Sequence, residues 1–381
     1  MRSIRAVWWV AVVVGVGACL AAQPGEPAAT QTAQDVRKIL GVTHVSGAYH
    51  LTNGDFLAEG AEQVLALGSR VIKLYLHKPE RSYPFGIEWP KVDSQVALAK
   101  TPPFRRALGM PFKTIILTAY AMGRFEHYWT RGITPEQEAD ETRRFYHLAK
   151  HLLTAYRGTG KTFVLQHWEG DWAIRGSFNA RVDPKPEAIR GMIRWLNARQ
   201  AGVDKARAEC GQRGVRVLHA AEVNRVVETM VRGRPGVVDK VLPHTKVDLV
   251  SYSAWDGQGN PNTFRRALDF IAKHTPDRPP FGARNVYVGE FGGPENEFGR
   301  PRVRRTVENV VRISLEWGCP YVVYWQVYCN EPKHRPVRKN EDVRGFWLIR
   351  PDGSKSPTWD YFRRLLAGRR QAGFQPAATP E

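Results

Sequence analysis

Cysteine is scarce in this sequence, and the positions of the cysteines argue against two common kinds of stabilisation. The chain has four cysteines, and Cys19 lies in an apolar segment near the start. Cys319 and Cys329 flank a predicted strand, and ten extended residues span about 30 Å, so these two thiols are not expected to pair. No CxxC motif and no cluster of cysteine and histidine indicates a metal site. We therefore expect a fold that depends on neither disulfides nor a metal, and a function that needs no cofactor.

Acidic residues are few compared with basic ones. The chain has 56 lysines and arginines against 37 aspartates and glutamates, which gives a formal net charge of +19. The positive charge is spread along the whole chain, without a lysine-rich arm or a recognised nucleic-acid motif, so nucleic acid is not the predicted partner. Two interpretations stay open: an arginine-rich solvated surface, or attraction to an acidic partner such as a polyanionic glycan or the cell envelope.

Long apolar runs are also missing, apart from one near the start of the chain. Arg2 and Arg5 precede the apolar residues 6–16, and small residues follow up to residue 22. This is the arrangement of a secretory signal peptide, and the apolar run is too short to span a bilayer. The sequence therefore predicts export, to the extracellular space or the periplasm. Residues 16–19 also resemble a lipoprotein cleavage site, so we expect membrane attachment only if Cys19 is lipidated.

The rest of the chain indicates one domain between two unstructured ends. After the signal peptide of residues 1–22, a linker rich in Ala, Pro, Gln and Thr covers residues 23–35. The body covers residues 36–370, and residues 371–381 read as a disordered tail. Hydrophobic residues make up 43% of the chain and charged residues 24%, so a large core is available. The body has no internal repeat, which favours a single domain.

The body alternates short β-rich apolar runs with longer helical patterns. This alternation predicts parallel strands with helical crossovers, and continuous apolar runs suit strands that are buried on both faces. A single-domain (β/α)₈ TIM barrel is therefore the predicted fold. The eight predicted strands are Ile39–Val45, Arg70–Leu76, Thr114–Ala119, Thr162–Gln166, Val215–Ala220, Val247–Tyr252, Val286–Glu290 and Tyr321–Trp325.

Carboxylates and aromatic side chains gather where these predicted strands end. In a parallel barrel the active residues lie at the carboxyl ends of the strands. Glycosidic cleavage needs one carboxylic acid to protonate the leaving oxygen and a second carboxylate to attack the sugar or activate water. Apolar walls raise the pKa of the acid, and aromatic faces stack on sugar rings. The relevant strand ends carry Trp168 and Glu169, Glu222 and Asn224, Tyr252 and Trp255, Glu290, and Trp325 and Tyr328.

From the fourth strand onward these strand ends resemble a known group of enzymes. Gly289-Glu290-Phe291-Gly292 is similar to the nucleophile strand of clan A glycoside hydrolases, particularly the family-five cellulases and mannanases. The resemblance implies that Glu290 is the nucleophile and that Tyr252 donates a hydrogen bond to it. It also implies that Trp325 floors the sugar subsite nearest the cut. The first three strands match the group only in outline.

One position departs from the pattern of this group. The acid/base of the family usually follows an asparagine that holds the 2-hydroxyl of the sugar, but here Glu169 follows Trp168. Glu222, on the fifth strand with Asn224 close by, is the alternative acid/base. The position of Glu169 and its sequence separation from Glu290 favour Glu169 over Glu222.

Several further side chains are predicted to bind substrate, and each also has a structural interpretation. His44 and His77 lie near the ends of the first and second strands, where histidine is also common for packing. Lys73 points inward or forms a buried salt bridge. The predicted substrate-binding residues are Tyr252, Trp325, Trp255, Trp168, His44, His77, Glu222, Asn224 and Tyr328, and Trp129 and Trp172 are further candidate sugar platforms that also suit loop packing.

The sequence thus predicts a retaining glycosidase that acts on an oligo- or polysaccharide, with Glu290 as nucleophile and Glu169 as acid/base. Retention places the two carboxyl groups about 5 Å apart, whereas inversion needs roughly 6.5–9.5 Å. A non-catalytic carbohydrate-binding barrel, which kept the groove and lost the acid, is the alternative. A barrel hydrolase that acts on another bond of a cell-envelope polymer is the third hypothesis.

Overall fold

The computed structural model describes residues 35–368. The predicted signal peptide, with Cys19, lies outside the described residues. So do the predicted linker up to residue 34 and the predicted tail. Cys210, Cys319 and Cys329 all carry free thiols within the described part of the chain. No helix among the described residues is both long enough and apolar enough to cross a membrane.

Eight parallel strands close into one barrel. Each strand pairs with the next along the chain, and the last pairs with the first. This confirms the predicted (β/α)₈ fold, with small shifts at the strand ends. The strands are β1 (Leu40–Thr43), β2 (Val71–Leu76), β3 (Thr114–Ala119), β4 (Lys161–Gln166), β5 (Val215–Val223), β6 (Leu249–Ser253), β7 (Val286–Phe291) and β8 (Val322–Tyr324).

Helices connect the strands on the outside of the barrel. The longest, α5 (Pro135–Ala155) and α7 (Pro186–Cys210), pack against each other beside β5. Short 3₁₀ helices cover Val36–Lys38, Leu242–His244, Ala254–Asp256 and Asn340–Asp342. The α-helices of the described residues are α1 (Phe56–Leu67), α2 (Pro79–Ser82), α3 (Gln95–Ala99), α4 (Pro102–Gly109), α5 (Pro135–Ala155), α6 (Gly170–Arg175), α7 (Pro186–Cys210), α8 (Val226–Arg232), α9 (Val237–Lys240), α10 (Pro261–His274), α11 (Glu295–Phe298), α12 (Arg300–Trp317) and α13 (Pro357–Leu366).

Local sequence signals explain where the crossover helices begin and end. At the start of α5, the Thr134 hydroxyl accepts from the backbone N–H of Gln137, whose side chain accepts in turn from Thr134 N–H. This capping box satisfies two donors that would otherwise lack partners. Helix α12 ends at Gly318, whose φ of 89° lies in the left-handed region that glycine adopts without strain.

Side chains that point into the barrel form a lower apolar layer and an upper polar layer. The polar layer lies nearer the carboxyl ends of the strands and consists of buried Lys73, Gln166, Glu222 and Ser251. Burial of so many polar groups is stable only when they bond to each other. The apolar layer below contains Val71, Ile116, Val164, Leu218, Leu249, Tyr287, Tyr321 and Val323.

An irregularity between β6 and β7 sets which residues face inward at the carboxyl end. The pairing register shifts between Tyr252 and Ser253: Tyr252 pairs with Val288 and Ser253 pairs with Glu290, so Gly289 of β7 is passed over. A second shift occurs between β7 and β8. Such bulges redirect side chains beside functional sites.

Candidate active site

The carboxyl end of the barrel brings three glutamates and one lysine together. Glu169 follows β4, Glu222 lies in β5, and Glu290 lies in β7. Lys73, from the middle of β2, reaches both Glu222 and Glu290. Four strands therefore contribute to one cluster, at the end of the barrel where barrel enzymes carry their chemistry.

The Glu290 carboxylate accepts three hydrogen bonds. Lys73 Nζ donates to its Oε1 at 2.8 Å. Its Oε2 accepts from Ser253 Oγ at 3.1 Å and from Trp255 Nε1 at 3.2 Å. Both oxygens are thus held in fixed directions, and a positive charge lies against one of them. This environment suits an ionised carboxylate that keeps one orientation.

Glu222 is held from four sides and is fully buried. Its Oε2 accepts from Gln166 Nε2 at 2.8 Å, from Ser251 Oγ at 2.7 Å and from Lys73 Nζ at 3.4 Å. Its Oε1 accepts from the backbone N–H of Glu169 at 2.8 Å. Burial raises the pKa of Glu222, and the charge of Lys73 opposes that rise. A carboxyl so fully bonded and enclosed supports its neighbours and is not free to reach a substrate.

Lys73 stays charged inside the barrel because two carboxylates surround it. Burial lowers the pKa of Lys73, but the charges of Glu222 and Glu290 outweigh burial and raise that pKa above its ordinary value. Lys73 therefore both points inward and forms a buried salt bridge, so the two interpretations describe the same arrangement.

Glu169 differs from the other two glutamates in its backbone and in its electrostatics. Its φ is 43°, in the left-handed region that side chains other than glycine rarely adopt. Among the described residues, no donor bonds to its side-chain carboxyl. Burial, together with the charges of Glu290 and Glu222, raises the pKa of Glu169 to about 9. Glu169 therefore carries its proton at neutral pH.

Neighbouring side chains fix the backbone on both sides of Glu169. The N–H of Trp168 donates to the Tyr120 hydroxyl at 2.8 Å, and the N–H of Glu222 donates to His167 Nε2 at 2.9 Å. After Glu169 the chain turns into α6 at Gly170, where an added Cβ would lie 2.4 Å from the carbonyl oxygen of Glu222. Only glycine fits there, so the position of Glu169 is strongly determined by its surroundings.

Tyr252 does not donate to Glu290, which corrects the role that the family resemblance implied. Its hydroxyl donates to Asp256 Oδ1 at 2.6 Å, and its ring stacks on Phe264 of α10. Ordinary alternation along β6 is the reason: Ser251 faces inward, where it donates to Glu222, so Tyr252 faces the helices and Ser253 faces inward. Ser253 and Trp255 are the donors to Glu290 instead.

His44 and Tyr328 lie in the packing around the barrel rather than beside the carboxylates, contrary to prediction. His44 Nε2 bonds the carbonyl oxygen of Phe56 at 2.8 Å, and its ring packs against Phe56, Tyr83 and Tyr328. Burial lowers the pKa of His44 to about 4, so the ring is neutral. Trp129 is also fully buried and stacks on Trp195, with 5.3 Å between ring centroids.

His77 lies at the carboxyl end of β2 with one ring nitrogen available. Its Nε2 bonds Glu126 Oε1 at 2.9 Å. Burial raises the pKa of Glu126, but hydrogen bonds from Lys78 and His77 outweigh it and bring that pKa to about 2, so the carboxylate only accepts. His77 therefore carries its proton on Nε2, and Nδ1 is an acceptor. Nδ1 is buried and bonds no group of the described residues.

Of the remaining predicted residues, one holds neighbouring backbone in place and two lie at the carboxyl end of the barrel. Asn224 Oδ1 accepts from the Asp171 N–H at 2.9 Å, which ties β5 to α6. Trp325 directly follows β8 and is 7% exposed. Trp168 is half-buried beside Glu169. Asn224 thus has a supporting role, and the two tryptophans lie at the strand ends that carry the site.

The sequence reasoning missed Tyr75. It lies two residues after Lys73 on the same face of β2, with His77 two residues further on. Burial raises the pKa of the Tyr75 hydroxyl, and the negative charges of Glu290 and Glu222 raise that pKa further. The period of two along a strand that carries an inward lysine is the signal that identifies it. Among the described residues, no cluster of three or more His, Cys, Asp or Glu side chains could hold a metal ion.

Comparison with known proteins supports the fold but does not identify the reaction. No protein-family model matches the sequence, and no curated protein matches it. The structure is similar to an exo-beta-1,4-mannosidase from Opitutaceae bacterium strain TAV5, with a TM-score of 0.53 and 14% identity over 87% of this chain and 59% of that one. It is similar to a glycoside hydrolase 5 lichenase from Caldicellulosiruptor sp. F32, with a TM-score of 0.52 and 12% identity over 91% and 99%. A beta-glucuronidase from Bacteroides uniformis gives a TM-score of 0.50 and 10% identity over 86% and 35%.

At such low identities the comparisons show the fold alone. That fold, a closed eight-stranded parallel barrel, is the one that glycoside hydrolases of clan A share. The resemblance found in the strand ends is thereby confirmed at the level of the fold. The chain spans 59% of the mannosidase and 35% of the glucuronidase, so it corresponds to one part of each of these longer proteins.

Proposed function

We propose that the protein is a retaining glycoside hydrolase that cleaves O-glycosidic bonds of an oligo- or polysaccharide. The observation that carries this proposal is the contrast between Glu169 and Glu290. Glu290 accepts from Lys73, Ser253 and Trp255, as an ionised carboxylate does. Glu169, with a pKa of about 9 raised by burial and by neighbouring charge, keeps its proton. A protonated carboxyl group together with a carboxylate that donors hold in place supplies the acid and the nucleophile that this reaction needs.

The proposed reaction has two steps in which Glu290 and Glu169 act in turn. In the first, Glu290 attacks the anomeric carbon while Glu169 transfers its proton to the departing oxygen, which leaves a covalent glycosyl–enzyme. In the second, a water molecule attacks the same carbon and gives a proton to Glu169, and Glu290 is released. Lys73 compensates the charge of Glu290 before attack and after release.

The backbone strain at Glu169 supports a functional role for this residue. A left-handed conformation costs a residue other than glycine roughly 1–2 kcal/mol. Such strain persists where the surroundings overdetermine it, and it gathers at functional sites. At Glu169 the hydrogen bond from its N–H to Glu222 and the tight turn at Gly170 provide that constraint.

We further propose that the sugar at the cut is held by residues other than the missing asparagine. Buried His77 Nδ1 is an acceptor without a partner in the described chain, and buried polar atoms of this kind normally bond something. A sugar hydroxyl is the donor that this proposal assigns to it. Tyr75 shares one face of β2 with Lys73 and His77, and Trp325 would stack under the ring.

The first test is a screen of polysaccharides with reducing-end detection. The panel includes mannan, cellulose, lichenan and acidic glycans, because the structural neighbours include a mannosidase, a lichenase and a glucuronidase. We expect turnover by the wild type and none by Glu290→Gln. Equal turnover by both proteins would reject Glu290 as nucleophile.

Proton NMR of the first-formed product tests the stereochemistry. A retaining enzyme releases the anomer that has the configuration of the substrate, and the other anomer appears later by mutarotation. The opposite anomer at first appearance would refute the two-step reaction and indicate an inverting mechanism.

A carbohydrate-binding barrel without catalysis is the second candidate. Trp168 favours it, because this residue occupies the place of the asparagine that the resemblance implies. Glycan binding measured beside turnover separates the two: binding by both wild type and Glu290→Gln, with turnover by neither, supports the binding barrel.

We also propose export directed by residues 1–22, which amino-terminal sequencing of the mature protein and a Cys19→Ser variant would test.

A further inference from the structure

Arg199 is a fully buried arginine that lies between α7 and the strands of the barrel. It occupies the middle of α7, and its side chain has no exposed surface. Its Nη2 donates to the carbonyl oxygen of Ala119 at 2.8 Å and to that of Gln166 at 3.4 Å. Ala119 ends β3 and Gln166 ends β4. One side chain therefore joins the carboxyl ends of two neighbouring strands.

Arg199 keeps a positive charge in surroundings that bond it only in part. Its guanidinium carbon lies 3.9 Å from the centroid of the Phe145 ring and 4.3 Å from that of the Trp195 ring. Its Nε lies 3.9 Å from Glu141 Oε1, too far for a hydrogen bond, and Nε and Nη1 bond no group of the described residues. Burial lowers the pKa of Arg199 to about 10, so the side chain is charged at neutral pH. Apolar side chains of similar volume often stabilise a core as well as buried charges do, so stability alone does not explain this arginine.

The two strand ends that Arg199 joins carry the side chains that fix the backbone around Glu169. Tyr120 directly follows β3, and its hydroxyl accepts from the backbone N–H of the residue before Glu169 at 2.8 Å. His167 directly follows β4, and its Nε2 accepts from the backbone N–H of Glu222 at 2.9 Å. Arg199 therefore bonds the peptide group that leads into each of these two residues.

Helix α7 also supports Tyr120 and His167 with a ring and with a charge. Trp195 lies one turn before Arg199, and its ring centroid is 6.4 Å from that of Tyr120 and 5.5 Å from that of His167. Burial lowers the pKa of His167 well below its ordinary value, and the charge of Arg199 lowers it further. A neutral ring is needed here, because Nε2 can accept from the N–H of Glu222 only when it carries no proton.

The backbone at Glu169 needs this support because its left-handed conformation is strained. Such a conformation persists only where the surroundings overdetermine it. The hydrogen bond from its N–H to Glu222 and the tight turn at Gly170 constrain the chain at Glu169 and after it. The contacts of α7 constrain the strand ends before it, so the two sets of contacts act on opposite sides of the strained residue.

We propose that Arg199 is a positioning residue for the acid: by joining the ends of β3 and β4, it keeps Glu169 in its strained and enclosed conformation. Because Arg199 is fully buried, it acts through the peptide groups that lead to Tyr120 and His167 and does not contact the substrate. This inference rests on the proposed function for the role of Glu169 as acid, whereas the effect on the conformation of Glu169 can be measured without turnover.

The kinetic test replaces Arg199 with methionine, which has a similar length but neither charge nor donor. It compares two glycosides of the sugar that the screen identifies: one has a poor leaving group that needs the acid, and the other releases 2,4-dinitrophenolate, which departs without it. We expect Arg199→Met to lower kcat/KM about 10–100-fold on the first glycoside and less than about threefold on the second. Equal losses on both glycosides, or no loss on either, would overturn the inference.

The pH profile gives a readout that a merely structural role would not move. Burial and the charges of Glu290 and Glu222 raise the pKa of Glu169 to about 9. Release of Glu169 from its enclosed position should lower that pKa, so the alkaline fall in kcat/KM should move to lower pH in Arg199→Met. An alkaline fall that stays near pH 9 would count against the inference.

Arg199→Lys is the conservative variant. It keeps the charge and a donor but loses the planar guanidinium, so we expect a selective loss of only about 3–10-fold on the glycoside with the poor leaving group. This variant carries the same comparison if Arg199→Met fails to fold, and it would then reject the inference if both glycosides were affected equally or not at all.

Arg207→Met is the matched control. Arg207 is a second arginine of α7, about two turns further along, and it pairs with Asp248 at 2.6 Å. Asp248 directly precedes β6, so this contact lies at the amino end of the barrel. Its removal is expected to lower the free energy of unfolding but to leave the ratio of the two kcat/KM values unchanged. If the ratio changes as it does in Arg199→Met, general destabilisation explains the result and the inference fails.

A stability measurement separates failure of this inference from failure of the proposed function. The raised pKa of Glu169 opposes folding at pH 7 but not at pH 4, so Glu169→Gln should stabilise the wild type at pH 7 only. In the background of Arg199→Met, or of Arg199→Lys if the former does not fold, this gain should fall to less than about half, as measured by urea denaturation. An equal gain in both backgrounds overturns the inference, whether or not the wild type turns over a substrate. A reduced gain in a protein without turnover rejects the proposed function and supports Arg199 as the residue that holds Glu169.

Discussion

Replacing Lys73 with methionine tests the polar layer inside the barrel. Methionine has similar length without the charge, so the change leaves Glu222 and Glu290 buried without their shared cation. Lys73 Nζ lies 2.8 Å from Glu290 and 3.4 Å from Glu222, and all three side chains are almost fully buried. Removing one partner of a buried ion pair costs about 3–5 kcal/mol. For a domain of this length that corresponds to a fall in Tm of roughly 4–7 °C.

The loss should depend on pH with a definite sign. Burial already raises the pKa of Glu222, and without the opposing charge of Lys73 that pKa rises further above the ordinary value of about 4.3. The folded variant then holds protons that the unfolded chain releases, so its stability falls as pH rises above that value. Urea denaturation followed by tryptophan fluorescence should therefore show the full deficit at pH 8 and a smaller one at pH 5.

Lys161→Met is the control for this experiment. Lys161 is a buried lysine of β4, and its ammonium donates to the carbonyl oxygens of Met110 and Phe112 instead of to a carboxylate. Burial lowers the pKa of Lys161 to about 8. Its removal should cost about 1–2 kcal/mol, with no dependence on pH between 5 and 7. If Lys73→Met costs no more than this control at pH 7, the account of the polar layer is wrong.

Three further predictions concern the residues around the carboxyl pair. Burial and neighbouring charges raise the pKa of Glu169 to about 9 in the folded state, so its ionisation opposes folding above about pH 4.3. Glu169→Gln should therefore increase the free energy of unfolding by up to about 3 kcal/mol at pH 7 and leave it unchanged at pH 4, as measured by urea denaturation. A gain that is equal at both pH values would contradict this. The same pKa predicts that kcat/KM of the wild type falls above about pH 9. In Glu169→Gln this alkaline fall should disappear from the pH profile, and the rate on substrates with poor leaving groups should drop about 10²–10⁴-fold. Finally, Trp255→Phe removes a donor to Glu290 and should lower kcat about 10–100-fold, whereas Tyr252→Phe, whose hydroxyl donates to Asp256, should change kcat less than about twofold. The reverse order would restore the role that the resemblance implied for Tyr252.

The fold was predictable because strand composition and topology leave few alternatives. Eight continuous runs of β-branched and aromatic residues, separated by helical patterns, indicate a parallel barrel without any tertiary information. The same topology brings the ends of β4, β5 and β7 together. It was therefore enough to recognise Glu169, Glu222 and Glu290 as neighbours from the places where their strands end.

The direction in which a strand-end side chain points was harder to predict. Side chains alternate along a strand, so once Ser251 faces inward toward Glu222, Tyr252 faces the helices and Ser253 faces inward. His44 lies at a strand end as well, yet it faces the helices. The local sequence does not indicate which of the two alternating faces is the inner one, because that depends on how the strands pair in the barrel.

The separate roles of Glu169 and Glu222 also depend on distant parts of the chain. Glu222 acquires its supporting role from Lys73 in β2, Gln166 in β4 and Ser251 in β6. These partners are distant in sequence, so the local sequence around each glutamate does not reveal them before the strands are assembled. Once they are assembled, Glu222 accepts from four donors, whereas Glu169, to which no donor among the described residues bonds, is the one that we propose as the acid.

The polar layer has a consequence for how the chain folds as it is synthesised. Lys73 emerges with β2, while its two carboxylate partners emerge much later with β5 and β7. A partial barrel that ends before β5 would have to enclose an ammonium group without a counter-charge, which is strongly unfavourable. Early half-barrels are therefore disfavoured as stable intermediates, and closure of the ring and assembly of the carboxylate cluster become a single event. Barrel fragments divided between β4 and β5 should accordingly gain order only when the two halves are combined.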